Sequence, residues 1–386
     1  MSVTAARGFS ATGLHCGIKA EGVFDLSLVS ADLPGPAAAV FTTSTTAAPT
    51  IEIGRDKLSD GTLHTIVIAS GCANAGTGTR GRAAIERVAK TAATLIEVSV
   101  ADVLVSTTGP IGPLLPDDLV CTGLTRAVPA RGTDPASATA AATAILTTDS
   151  VVKQAAIERE GYVIGGMSKG AGMIRPDMAT MLAYITTDAI IEAGALGASL
   201  QAAVDVTFNC LNFDGCQSTN DTVVVMASGA SGVEADAEAF TRHLTDLCRE
   251  LAWQMADDAE GASKVVTIEI SGAANDRVAR QIGKAIADSA LVRSSFYGGE
   301  PDWGRLLAAA GATGHQVSVE DISVAYAGVR VAQGGVAESH SDVSLVDRLA
   351  EGNFTVEMSV GTGPGSAKIV TTDLTPEYVR FNAGRS

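Results

Sequence analysis

Short apolar runs along the chain alternate with longer stretches in which apolar positions recur every three or four residues, a pattern that predicts strands interleaved with helices. Residues 23–29 (VFDLSLV) alternate loosely between apolar and polar, and residues 64–70 (HTIVIAS) read as a short buried strand. A glycine-containing turn follows at 71–78 (GCANAGTG), and a helical pattern then runs from about residue 80 to 97. Asp134-Pro135, with Asp as cap and Pro in the first turn, opens an Ala-rich helix that ends near residue 146. Phe240, Leu244, Leu247, Cys248, Leu251, Ala252 and Met255 form one apolar stripe, which predicts a long helix stopping at Gly261. Residues 264–271 alternate as a half-buried strand, residues 275–289 read as a helix, and 322–331 carry Ala327-Gly328 as a tight turn. The last strands are expected at 353–360 and 368–372. This order predicts a mixed α/β protein, and no Pro- or Ser-rich linker suggests a hinge between independent domains.

Composition adds limits. Of 386 residues, 46% are hydrophobic and 18% charged, so a substantial core can form and wholesale disorder is excluded. Aromatics are 4% while glycines number 41, so the core must be built from small and β-branched side chains packed closely. With 27 basic against 43 acidic side chains the net charge is −16, which argues against a partner that is a phosphate backbone. The start shows no basic segment followed by an apolar one, and no apolar run reaches the ~18 residues of a membrane span. Cys16, Cys72, Cys121, Cys210, Cys216 and Cys248 form no Cys-x-x-Cys pair, so they read as reduced thiols of a cytoplasmic protein, mostly buried. His15, His64, His243, His315 and His340 lack metal-ligand spacing, so no metal is expected and the histidines read as surface or capping residues. No Gly-x-Ser-x-Gly elbow is expected between a strand and a helix, no P-loop occurs, and the glycine-rich spot Ala75-Gly76-Thr77-Gly78 reads as a turn.

One segment stands apart: residues 165–189, GGMSKGAGMIRPDMATMLAYITTDA. Gly165, Gly166, Gly170 and Gly172 allow backbone conformations closed to other residues. Arg175-Pro176-Asp177 gives a turn signal, and Ala179-Thr180 then leads into the apolar strand that begins at Met181. A hydroxyl residue at the mouth of a buried strand, after a small residue and a deformable loop, suits a self-cleaving precursor. The Thr hydroxyl attacks the preceding carbonyl, and hydrolysis of the ester leaves Thr with a free α-amine. That amine, with an ordinary pKa of about 7.7–8.0, can act as base for its own hydroxyl without any histidine. A plain glycine-rich connection fits the same residues.

The segment resembles the signature of the glutamate N-acetyltransferase/ornithine acetyltransferase family of arginine biosynthesis. It carries Met167-Ser168-Lys169-Gly170, then Pro176-Asp177-Met178-Ala179-Thr180-Met181-Leu182, then Thr186-Thr187-Asp188-Ala189. Further blocks follow the family's order: Ser106-Thr107-Thr108-Gly109-Pro110-Ile111-Gly112, Ile145-Leu146-Thr147-Thr148-Asp149, residues 214–222 (DGCQSTNDT), residues 256–261 (ADDAEG) and Pro301-Asp302-Trp303-Gly304-Arg305. The likeness extends over essentially the whole chain. Read singly, Thr147 suits a helix end, Glu260 a solvated helix terminus and Lys169 an ordinary loop; the ordered set carries the resemblance.

The resemblance implies an α/β (α+β) fold, a four-layer αββα sandwich of the ornithine acetyltransferase/N-terminal-nucleophile aminopeptidase type with a smaller C-terminal domain. It implies a cut between Ala179 and Thr180 into an alpha chain, 1–179, and a beta chain, 180–386, that stay together as a heterotetramer with two of each. Thr180 becomes the nucleophile, and Thr108 and Gly109 form the oxyanion hole. Thr147, Lys169, Thr180, Glu260, Asn382 and Ser386 contact substrate. The implied reaction moves acetyl from N-acetylornithine to glutamate by a ping-pong route without a cofactor, with acetyl-CoA an open second donor. Three departures stand out: Asp302 replaces an Asn, Pro110 enters the oxyanion loop, and the tail after Asn382 is shortened, so that Ser386 is only the nearest equivalent of the family's last contact. A related self-processing β-aminopeptidase, a specialised-metabolism acyltransferase and a non-catalytic relative are the alternatives.

Overall fold

The computed structural model describes residues 2–175, 181–338 and 343–384. Chain contacts divide it into two compact units. The first comprises Met1–Met173, Asp177–Asn209 and Cys216–Met255, and the second Ile174–Pro176, Cys210–Gly215 and Ala256–Ser386. These units group residues by packing, so each takes pieces from both sides of residue 180.

The chain begins with β1 (Phe9–Leu14), β2 (Leu26–Phe41), α1 (Pro49–Lys57), β3 (Thr62–Ser70), α2 (Gly78–Ile96) and β4 (Val103–Thr108). Next come α3 (Asp117–Ala127), α4 (Pro135–Ala144), β5 (Lys153–Arg159), β6 (Tyr162–Lys169), β7 (Leu182–Thr187) and α5 (Ala193–Asp205). After β8 (Leu211–Asn212), which pairs in the second unit, β9 (Thr222–Ala227) and α6 (Ala237–Asp257) complete the first unit.

In the first unit the strand order is β4-β3-β2-β9-β7-β6-β5, with β1 also on β2. The 16-residue β2 spans two halves of this sheet. It pairs with β1 and β3 early and with β9 late, and its register on β3 shifts between Ser30 and Gly35, beside Pro34 and Pro36. Strand alternation then builds layers. Ile66, Ile68 and Leu104 share a core with Met167, Leu182, Tyr184, Val224 and Met226 of the other half. Val67, Ala69, Val103 and Val105 face the opposite way, onto Ala84, Ile85, Val88 and Ala92 of α2 and Val120 and Leu124 of α3. On the far side, Leu247 and Leu251 of α6 approach Gly166 of β6. Helices, sheet, sheet and helix make the four layers the resemblance implied.

The glycine-rich stretch is a partial correction. Gly165 and Gly166 lie inside β6 rather than in a turn, and a Cβ at Gly165 would fall 2.1 Å from the Ser2 carbonyl oxygen. They are there for close packing; Gly170, with φ +148°, uses glycine's conformational freedom.

The second unit continues with β10 (Val265–Ala273), α7 (Asp276–Asp288), α8 (Ala290–Gly298), α9 (Trp303–Gly311), β11 (Ser323–Tyr326) and β12 (Val329–Gln333). It ends with β13 (Val336–Ala337), α10 (Val343–Glu351), β14 (Phe354–Ser359), β15 (Gly365–Thr372) and α11 (Pro376–Ala383). Its sheet runs β13-β12-β11-β14-β10-β15-β8. Val266, Ile268 and Ile270 alternate inward onto Ile282, Ile286, Phe296, Leu306 and Leu349. The Ala327-Gly328 turn joins β11 to β12 with φ of +48° and +79°. Asp134 caps α4 as expected, accepting from Ala136 and Ser137, and Asn275 caps α7, accepting from Val278. Among the described histidines, His64 departs from the expected surface role: it is buried in β3, its Nδ1 2.7 Å from the Thr65 hydroxyl.

Candidate active site

β4 is buried throughout and pairs in parallel with β3, Thr108 opposite Ser70. The Thr108 carbonyl accepts from the amides of Gly71 (2.8 Å) and Cys72 (3.0 Å), which ties the end of β4 to the loop after β3. Gly109 leaves the strand at φ +138°, and a Cβ there would stand 2.5 Å from the Cys72 nitrogen. Glycine is therefore required, as the Thr-Gly pair of the sequence suggested. Asn220 fastens the corner from the side: its Nδ2 donates to the carbonyls of Ala73 (2.8 Å) and Thr107 (3.0 Å) and to the Thr107 hydroxyl (3.0 Å).

Lys169 ends β6 and is buried. Its Nζ stands 3.3 Å from Thr108 Oγ1. An ammonium only donates, so the Thr108 oxygen accepts and its own hydrogen remains available to an incoming oxyanion. The structure thus brings together three residues named from sequence, Thr108, Gly109 and Lys169.

Thr147 joins them through Asp149. One Asp149 oxygen accepts from the Thr147 amide (3.1 Å), and the other accepts from the Gly170 amide (2.6 Å) and Lys153 Nζ (2.8 Å). The side chains of Asp149 and Lys153 are fully buried. Burial pushes the Asp149 carboxyl up, but the Lys169 and Lys153 charges, with the bonds from Lys153 and Gly170, outweigh it and hold it down at about 2.

Two further residues went unnoticed in the sequence. Lys19 Nζ donates to the carbonyls of Phe24 (3.0 Å) and Leu146 (2.5 Å), pinning the segment that carries Thr147. Burial lowers its ammonium to about 8, Asp25 opposes that fall and Lys169 adds to it. Asp25, buried, accepts from the consecutive amides of Cys16, Gly17, Ile18 and Lys19. The Lys19 bond to Leu146 depends on a loop closing onto a distant segment, which no local spacing reveals.

The start of β7 completes the corner. Asp221, immediately before β9, is buried, and its Oδ1 accepts from the Met181 amide at 2.8 Å. Met181 follows the expected cleavage position. Ala179 and Thr180 themselves lie outside the described residues, as does Ser386.

Glu260 and Asn382 belong to the second unit. Glu260 is half-buried in the turn after α6, and Gly261 at φ +63° packs so closely on the start of α11 that a Cβ would come 2.4 Å from the Tyr378 nitrogen. Asn382 lies exposed on α11, its Nδ2 donating to the Tyr378 carbonyl at 3.0 Å. These two residues therefore ride on directly packed elements. Asp302 has a structural role: it caps α9, accepting from the Arg305 amide (3.2 Å) and pairing with the Arg305 guanidinium (2.7 Å). Pro110 is exposed, and its carbonyl accepts from the Ala73 amide at 3.1 Å.

Comparison with known proteins places this geometry. The sequence profile of the ArgJ family matches residues 10–385. The chain is 43% identical to the arginine biosynthesis bifunctional protein ArgJ of Thermobifida fusca and 41% identical to that of Streptomyces coelicolor, each alignment covering 100% of both chains. Among solved structures, the arginine biosynthesis bifunctional protein ArgJ of Bacillus halodurans is similar at 37% identity and a TM-score of 0.50. That match covers 52% of this chain and 96% of the other.

Proposed function

Because the chain belongs to the ArgJ family, we propose that it is an acetyltransferase of arginine biosynthesis that moves acetyl from N-acetylornithine to glutamate through an acetyl-Thr180 ester. The observation that carries this reading is the corner formed by Thr108, Gly109 and Lys169, built beside the strand that Met181 enters. In that corner a hydroxyl hydrogen, a backbone amide and an ammonium are fixed before substrate arrives, the preorganisation an acyl-transfer oxyanion requires.

The precursor cuts itself between Ala179 and Thr180. The freed α-amine of Thr180 takes the proton from its own hydroxyl as Oγ attacks the acetyl carbonyl. Thr108 and Gly109 hold the oxyanion. The proton on the α-amine passes to the departing ornithine nitrogen as the C–N bond breaks, and glutamate repeats the steps in reverse. Thr147 and Lys169, held by Asp149 and Lys19, orient the amino acid, with Glu260 and Asn382 completing its charged and amide partners; Ser386 is assigned a terminal contact by resemblance alone. Acetyl-CoA is a second donor for the same ester. The two chains, 1–179 and 180–386, remain associated as a heterotetramer in the cytoplasm. The Bacillus halodurans chain supports this division, since it aligns almost whole with about half of the present chain.

The test is to incubate the purified protein with N-acetylornithine and glutamate, and separately with acetyl-CoA and glutamate, beside a Thr180→Ala variant. Ornithine release that needs glutamate is expected, with none from the variant. Ornithine release without glutamate would mean that water resolves the ester, as in an aminopeptidase. Activity in the variant would remove Thr180 from the mechanism.

A further inference from the structure

The reading above leaves a proton unassigned. When the Thr180 hydroxyl attacks the Ala179 carbonyl, the Oγ–C bond forms and the C–N bond breaks, so the nitrogen of residue 180 must gain a proton. Before the cut that nitrogen belongs to an amide and cannot act as base for its own hydroxyl. Some other group must supply the proton.

Asp221 is the group the fold provides. Its carboxyl is buried at the mouth of β9, next to β7 in parallel register. Oδ1 is committed to the Met181 amide, while Oδ2, also buried, has no hydrogen-bond partner among the described residues. A buried polar atom left unpaired costs about 1–3 kcal/mol, so its retention needs a reason. Covalent geometry supplies one. The Met181 nitrogen is three bonds from the nitrogen of residue 180, so the two stand within about 3.7 Å whatever that residue's conformation. The carboxyl is thus held on the amide one residue after the bond to be cut.

We propose that Asp221 is the acid of the self-cleavage: Oδ2 gives its proton to the nitrogen of residue 180 as the Ala179–Thr180 bond breaks, and the carboxylate then takes the proton that the Thr180 hydroxyl loses. The proton count of Asp221 is unchanged over the step, and the ester goes on to hydrolysis by water. The role requires a neutral carboxyl at working pH. Burial pushes the Asp221 carboxyl well above its ordinary range; the Met181 amide, the Lys169 ammonium and Ser218 pull the other way and are outweighed. Lys169 is the charged group that acts on it, and Asp149 in turn is set against that ammonium. The neutral state also serves the mature enzyme, because an ionised carboxylate this close would raise the α-amine's pKa and spoil it as a base.

The proposal rests on Thr180 being the nucleophile, and its test keeps the two apart. Wild-type, Asp221→Asn and Thr180→Ala precursors are synthesised in a cell-free reaction, transferred to buffers between pH 5 and 10, and followed on denaturing gels. Asn keeps an acceptor for the Met181 amide but cannot deliver an acidic proton. Cleavage of Asp221→Asn is expected to be slower by about 10²–10⁴-fold, and the wild-type rate is expected to fall at alkaline pH as the acid form is lost. The double variant Thr180→Ala/Asp221→Asn checks folding. It should melt higher than Thr180→Ala at pH 8, and the gap should close as pH falls toward the ordinary carboxyl range, because only the native state holds that proton. Asp221→Asn cutting at the wild-type rate, a wild-type rate without an alkaline fall, or a double variant that melts lower would overturn the role of Asp221. Cleavage of Thr180→Ala would instead overturn the underlying reading.

Discussion

Lys169 donates to the Thr108 oxygen, which leaves the Thr108 hydrogen for the proposed oxyanion. Replacing Thr108 by Ala should lower kcat by about 10²–10³-fold with a smaller change in KM, since the lost bond strengthens in the transition state; steady-state rates with N-acetylornithine and glutamate check it. Asp149 makes a prediction in pH. Its carboxyl is held at about 2 in the folded chain against an ordinary 3.8. A depressed carboxyl stabilises the fold fully above the unfolded value and loses that contribution as pH falls from about 4 to about 2. The whole shift is worth ~2 kcal/mol. Thermal melts should show Asp149→Asn less stable than wild type at pH 7, with a shallower loss on acidification. Thr108, Gly109 and Lys169 were legible as a set because their order along the chain resembles a family. Their partners were not: Lys19 reaches Leu146 across 127 positions, and Asn220 reaches Thr107 across 113. Asp221 was visible only as one letter of a motif.

Strands and helices were legible where one period ruled. The α6 stripe, the cap of α4, and the alternation of β10 all appear where the pattern put them, because a buried face or a capping side chain suffices to define each. β6 was harder, since two central glycines looked like a loop. In the fold those glycines let Ser2 and the α6 leucines approach. Gly165→Val should therefore destabilise the protein by about 1–3 kcal/mol through overpacking against backbone that cannot retreat, read as a lowered melting temperature. Gly109→Ala tests the same physics at the site: the added carbon would strike the Cys72 backbone. The result expected is loss of acetyl transfer exceeding the loss of melting temperature, because the strain falls on the turn that presents the proposed oxyanion amide.

For the molecule as a whole, the four-layer body of the first unit requires that residues from both sides of the expected cut share one core. Tyr184 and Val224 pack in one cluster with Phe9 and Ile66. A scission before Thr180 should consequently leave the two pieces associated under native conditions and separable only by denaturant, which size exclusion in buffer and in guanidinium checks. Residue alternation could not announce this, because nothing in a strand's own pattern tells which distant half of a bent sheet it will face. The central claim is that Thr180 is freed by self-cleavage and carries the acetyl group. Its most direct measurement is intact mass spectrometry of the purified protein after brief mixing with N-acetylornithine in the absence of glutamate. The account predicts two chains, the second beginning Thr-Met-Leu-Ala and heavier by one acetyl group on its first residue. A single uncut chain that turns over substrate, or an acetyl group carried elsewhere, would contradict it.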